Sequence, residues 1–332
     1  AYPQVGVKWG YFAGISRPGT DWSPRSSESD RRQAARQWCH VRVHTSAHSH
    51  NTLARPVQGW AALCTVYVLW GSTYLAIAIV VSGAPPLLSA GSRFFAGGLI
   101  LAAIVGFRNG WRTLRVTRRE LGGAALIGIL LLGIGSGGVS LAERYVPSSS
   151  SALVIASVPL WLICLRTATK DRPAALTWAG VVCGFLGVGL LVAELGRDDP
   201  APGDGYINLP GWQVALWLGV IVVGSITWAI GSFISPRLVA AERAPRNPMV
   251  LAAWQFLIAG VLLMVVGVGR GEDATAMAHL STKTAVAWLL LVAIAVIAFS
   301  SYTWLLQNAP ISLTSTYAYV KPLVAMLLGW LL

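Results

Sequence analysis

Three ionisable side chains stand in apolar runs where none would be expected: Lys321, Arg93 and Glu143. An ionisable group placed in hydrocarbon costs roughly 2.5–3.5 kcal/mol on insertion scales and by default faces a partner or a cavity. Lys321 lies eight residues into a run that begins at residue 313, beside Pro322, too deep to snorkel past a turn and a half to water. It therefore faces either a cavity suited to an anionic group or a carboxylate in a buried structural pair. Arg93 and Glu143 fall near one level of their runs, where they could pair, gate a mouth, or serve structure alone. Trp70, Tyr74, Trp228, Trp304, Tyr317 and Tyr319 could wall a pocket around Lys321 with ring faces and a few hydroxyls. Each of these rings, taken singly, is equally readable as packing or lipid contact.

Covalent chemistry finds no support. No paired His/Asp set, Ser/Lys dyad or HExxH lies within the apolar runs. Cys39, Cys64, Cys164 and Cys183 show neither CxxC nor zinc-ligand spacing, and three of them sit in apolar runs as small hydrophobes. Gly133, Gly135, Gly137 and Gly138, like Gly184, Gly187 and Gly189, follow no strand and carry no P-loop Lys-Ser/Thr. Their spacing lets helices approach closely. His279 stands alone in a connection. His40, His44, His48 and His50 could form a metal-binding tail, but their irregular spacing, without converging Cys or carboxylates, favours a solvated segment. No metal and no cofactor is expected.

The elements that must position these residues are membrane helices. Only 11% of the 332 residues are charged, against roughly 25% in soluble domains, and 55% are apolar. So few charges could not cover a water-soluble globule of this size. With about 20 residues needed to cross roughly 30 Å at a 1.5 Å rise, nine spans are predicted: 60–82, 87–107, 121–142, 148–168, 175–195, 212–235, 249–269, 285–306 and 313–332. Barrel strands are excluded, because the runs are continuously apolar and about twice a barrel strand's length. The fold class is all-α, a polytopic helical bundle.

The net charge of +12 is a topology signal rather than a nucleic-acid footprint. Connections after the second, fourth and sixth spans carry eleven Lys and Arg; those after the first, third, fifth and seventh carry four, and the segment 196–210 is acidic. The richer set is expected in the cytoplasm, together with the N-terminal segment and its eight basic residues. Residues 1–56 read as a disordered or spurious leader, polar and without periodicity or the apolar core of a signal peptide. No Met precedes Met249, so the chain is not expected to begin at its own initiator.

An internal repeat organises the rest. Pro147 and Pro159 bracket a Ser-rich helix start, as do Pro310 and Pro322, each pair twelve residues apart. The second proline of each pair is expected to break the helix within the membrane, which is tolerable where a cavity or neighbours satisfy the freed carbonyl. Ser92 to Gly98 aligns with Trp254 to Gly260, and Trp70-Gly71 with Trp228-Ala229, at nearly the same offset. The unit is five spans, so the second copy runs upside down, the arrangement of carriers with a midplane site and alternating access. The first repeat covers 57–195 and the second 212–332.

Trp70-Gly71-Ser72-Thr73-Tyr74, Arg93-Phe94, Ala142-Glu143 before Val146-Pro147-Ser148, Ser157-Val158-Pro159-Leu160, and Tyr317-Ala318-Tyr319-Val320 before Pro322 resemble the EamA-type transporters of the drug/metabolite transporter superfamily, especially their YedA-like branch. The match covers residues 60–332. The resemblance implies a ten-helix bacterial inner-membrane carrier that exports small metabolites or toxic compounds, with a small-molecule substrate and the lipid bilayer as partners and no nucleic acid. It also implies that a tenth helix is missing here and that the leader is foreign. Relatives often place Asn where Lys321 stands, so the lysine is a departure that leaves the substrate type open while favouring an anionic group or a carboxylate partner. An intramembrane enzyme would need the catalytic sets absent above. A membrane receptor or sensor would need an output domain, for which residues 1–56 are too short and polar.

Overall fold

The computed structural model describes residues 56–169, 175–195 and 210–331. Expectations for the leader and for the acidic segment at 196–209 lie outside the described residues. All regular structure within them is helical: α1 (Pro56–Gly83), α2 (Pro86–Asn109), α3 (Arg118–Ala142), α4 (Ser148–Ile155), α5 (Val158–Ala168), α6 (Ala175–Leu195), α7 (Gly211–Ala240), α8 (Pro248–Gly269), α9 (Thr282–Asn308), α10 (Ile311–Thr314) and α11 (Tyr317–Leu331). Among the described residues seven helical segments are long and apolar enough to cross a membrane: α1, α2, α3, the α4–α5 pair, α7, α8 and α9. Large apolar side chains such as Leu99, Leu186, Leu190, Leu216, Val265, Leu289 and Ile297 are exposed around the bundle, as lipid contact requires.

Helix ends are settled locally. Thr117 and Glu120 form a reciprocal capping box at the start of α3, Asn247 accepts from Met249 N at 2.9 Å at the start of α8, and Ser281 accepts from Thr284 N at 3.2 Å at the start of α9. α2 opens on Pro85-Pro86 and has no cap of its own. Its free Leu87 and Leu88 N–H groups instead donate to the Glu272 carboxylate, at 3.1 and 2.8 Å, from the connection after α8.

Three predicted spans are less regular than a single helix. Residues Ile129–Ser136 of α3 are π-helical. The fourth and ninth spans are each two helices. Between α4 and α5 the chain tightens at Ala156-Ser157, two residues before Pro159, with Ser157 N donating to Val154 O at 3.0 Å. In the ninth span the same tightening falls at Ser315-Thr316, six residues ahead of Pro322, and α11 runs on through that proline. Thr314, Ser315 and Thr316 hydroxyls donate to the carbonyls of Pro310, Ser312 and Leu313, and the first and last of these carbonyls also accept the backbone N–H of Thr314 and Thr316.

Packing carries the signature of the repeat. α1 packs on α9 and on α11, α7 packs on α3 and on α5, and α2 packs on α8. Exchanging each span with the one five places on converts the first set into the second and returns the α2–α8 pair to itself. Gly91 approaches Gly260, and Gly97 and Gly98 approach Phe256 and Leu257, so numbers rise on α2 as they fall on α8 and the pair is antiparallel. A Cβ on Gly91 would lie 2.8 Å from the Gly260 carbonyl oxygen, a separation only glycine permits. The two repeats are thus interleaved around an axis passing through the α2–α8 crossing. Trp254 Nε1 donates to Leu114 O at 3.2 Å, joining the α2–α3 connection to the start of α8 at the arginine-rich end of the bundle.

Candidate functional site

The repeat-equivalent tryptophans meet at the centre. Trp70 from α1 and Trp228 from α7 stand edge to face with ring centroids 5.4 Å apart. Tyr302 of α9 and Tyr317 of α11 close on Trp70 at 4.8 and 4.9 Å. Tyr302 is fixed by two polar contacts: Trp228 Nε1 donates to its hydroxyl at 3.1 Å, and the hydroxyl shares a hydrogen bond with Ser232 Oγ at 2.6 Å. From Tyr302 the rings continue through Phe299 and Phe256 to Phe94, the neighbour of Arg93.

Lys321 enters this assembly from α11. Its Nζ lies 4.4 Å from the ring centroid of Trp70, 4.7 Å from Tyr317, and 5.9 Å from both Tyr74 and Trp228. Four ring faces around one ammonium are a cation–π cage, whose attraction offsets much of the cost of burying the amine. Of the two arrangements open to Lys321 in the sequence, the carboxylate pair is not the one found: among the described residues no carboxylate lies within ion-pair distance of it. Tyr317 and Lys321 share a face because they are four residues apart on one helix.

The cage borders a cavity of about 100 Å³, room for several water molecules. Trp70, Thr73, Tyr74, Arg93, Phe94, Ser136, Val158, Ser225, Trp228, Phe256, Phe299, Tyr317 and Lys321 are among its lining residues. Two cations and no carboxylate line it. The repeats are unequal here: the position equivalent to Lys321 in the first repeat is Val158, which faces the same cavity, and the position equivalent to Arg93 in the second is the buried Gln255.

Arg93 and Glu143 are both buried, at 5% and 1% exposure, and near enough for their charges to interact, yet they form no ion pair. Arg93 Nη2 donates a long 3.5 Å bond to Ser136 Oγ, while Arg93 Nε and both Glu143 oxygens have no partner. Arg93 lines the central cavity and also a small pocket beside Ser140 and Trp288.

Six of the nine side chains expected to bind or gate therefore line the cavity: Lys321, Trp70, Tyr74, Trp228, Tyr317 and Arg93. Trp304 and Tyr319 do not line it, and Tyr319 is 49% exposed. Each sits two residues from a central tyrosine, Tyr302 or Tyr317, and two residues turn a helix by roughly 200°, to its opposite side. The centre also includes Tyr302, Phe256, Phe299, Ser136 and Ser225, which sequence reasoning passed over. Only the pairing of Ser232 and Trp228 on one helix face, four residues apart, marked a polar partner for such a tyrosine.

A helical membrane bundle of two interleaved inverted repeats, with an aromatic and cationic cavity where they meet, defines a carrier-type membrane protein. The chain belongs to the EamA-like transporter family, whose model matches residues 58–193 and 215–332. It is 37% identical over 271 residues to the uncharacterized inner membrane transporter YedA of Escherichia coli (strain K12), covering 81% of each chain. It is 22% identical to the uncharacterized transporter YoaV of Bacillus subtilis (strain 168), over 81% of this chain and 86% of that one. A solved crystal structure shares the fold at a TM-score of 0.56 and 21% identity, covering 83% of this chain and 88% of the other.

Proposed function

We propose that the chain moves a small, anion-bearing organic solute outward across the bacterial inner membrane, its central cavity opening to the two sides in turn. The observation that carries this reading is Lys321, caged by four rings and unpaired with any described carboxylate, on a cavity whose second charged group is Arg93. A cavity with two cations and no anion is completed electrically by an anionic ligand, and the ring faces suit an apolar or aromatic body. The inverted repeats supply two half-sites that exchange roles as access alternates. The connections at 108–120, 166–173 and 236–246 face the cytoplasm in this reading, as does the N-terminus, because Lys and Arg accumulate there. Solute and lipid are the partners; neither nucleic acid, cofactor nor covalent chemistry enters. The outward direction follows the resemblance to metabolite and drug exporters.

Comparing the medium of cells producing the wild type with that of cells producing Lys321→Met, at matched membrane levels, tests the proposal. At least one organic anion is expected to accumulate outside with the wild type and not with the variant. Indistinguishable media would refute it.

A further inference from the structure

We propose that Glu143 is a proton-exchange site linked through Arg93 to the central cavity, so that a proton and the anionic solute occupy the protein together. The inference rests on the reading that the cavity takes an anion. Its ground is the set of unpartnered atoms. Glu143 is 1% exposed and both carboxyl oxygens lack a hydrogen-bond partner, while Arg93 Nε, also buried, lacks one as well. An ionised carboxylate so deeply buried, without a bonded cation, is less favourable than the neutral acid. The arrangement described is therefore that of a protonated Glu143 with Arg93 turned to the cavity, where it reaches Ser136.

The alternative arrangement is a side-chain rotation away. Arg93 lines both the central cavity and the small pocket beside Ser140, three residues before Glu143. Turned toward Glu143, its guanidinium would form a charge-assisted pair with the carboxylate, Glu143 would give its proton to water, and the cavity would lose one of its two cations. Arg144, the next residue, lines a recess of about 540 Å³ at the end of the bundle. The other groups facing Glu143 do not replace Arg93. Tyr74 on α1 is the second titratable group within electrostatic reach, Lys321 on α11 lies across the shared cavity, and α7 and α4 present Val214, Leu218, Ile221 and Val154.

The balance is simple. Anion binding favours Arg93 in the cavity, so wherever Glu143 is ionised it takes up one proton from water, and the loaded carrier holds the anion and the proton together. Affinity for the anion must then fall as pH rises past the titration of Glu143, by up to about tenfold per pH unit. Net movement follows the summed gradients of proton and solute, outward when the solute gradient is the larger.

Phenylacetate, a carboxylate on an aromatic body, is the probe, with quenching of tryptophan fluorescence reporting its binding to the full chain in lipid nanodiscs. Between about pH 5 and pH 9 the wild type is expected to lose affinity more steeply than Glu143→Gln, the difference in slope being the proton that Glu143 exchanges. Glu143→Asp, which keeps the acid if the amide variant folds poorly, should move the midpoint of the wild-type profile. A pH profile of Glu143→Gln matching that of the wild type overturns the proposal. Infrared spectroscopy at neutral pH is independent of any ligand: a protonated-carboxyl band is expected in the wild type and missing from Glu143→Gln, and its persistence in the variant would also overturn the proposal. Equal phenylacetate binding by wild type and Lys321→Met would instead overturn the anion reading of the cavity.

Discussion

Lys321 is surrounded by four ring faces and no described carboxylate, and this determines what substitutions do. Lys321→Met retains a long, adaptable side chain that packs against the same rings. Membrane insertion and thermal stability are expected to stay within about 1 kcal/mol of wild type, while phenylacetate binding weakens at least about tenfold, a loss of roughly 1.4 kcal/mol. Fluorescence-detected gel filtration and fluorescence quenching measure the two. Had Lys321 served a buried ion pair, Lys321→Met would instead fold poorly and recover on neutralising a carboxylate. Tyr302→Phe removes the partner of Trp228 Nε1 and Ser232 Oγ, so thermal unfolding should show a loss of about 1–2 kcal/mol. Lys321, Trp70, Tyr74, Trp228, Tyr317 and Arg93 were legible because charge and aromatic surface are rare and conspicuous in apolar runs. Tyr302 and the phenylalanines were not, because which side of a uniformly apolar helix faces the centre depends on its neighbours. The same ambiguity applies to Trp304 and Tyr319, which do not line the cavity.

The helices were legible in existence and extent, since length and continuous apolarity are enough in lipid. Their interruptions were only partly so. Two Pro-bracketed starts marked the fourth and ninth spans, yet in the ninth the tightening falls at Ser315-Thr316, where hydroxyls compete for carbonyls, and not at Pro322. The π-helical stretch of α3 had no sequence signal beyond its glycines, because these also serve close packing. At the α2–α8 crossing, Gly91→Leu or Gly260→Leu would drive a side chain into the facing backbone and should cost at least about 2 kcal/mol, read as lowered melting temperature and yield of the detergent-solubilised protein. Gly180, with open space around it, accepts Gly180→Ala without loss in the same assay. Glu272→Ala strands the Leu87 and Leu88 N–H groups at the start of α2 and should destabilise by about 1–3 kcal/mol, whereas Glu272→Gln, which keeps an acceptor, should cost less.

At the scale of the molecule, the two repeats are unequal in chemistry while equivalent in fold. The α1–α9 and α7–α3 pairings are images of one another, but Lys321 answers Val158 and Arg93 answers Gln255. Each repeat therefore brings one cation to the cavity, at positions that are not equivalent in the shared scaffold. Topology is tested with single cysteines in a chain whose four native cysteines are serine. An impermeant thiol reagent added to intact cells should label Ala274→Cys, in the connection after α8, and spare Arg112→Cys until the membrane is opened. Labelling in the reverse pattern would invert the orientation. The central claim, that the aromatic and cationic cavity is the path exposed to each side in turn, is tested most directly by the accessibility of Thr73→Cys, which lines that cavity. In sidedness-controlled vesicles a small impermeant methanethiosulfonate is expected to modify it from either face, with phenylacetate slowing both reactions and Lys321→Met abolishing that protection. Modification from one face alone, or no protection by the anion on either, would contradict the account.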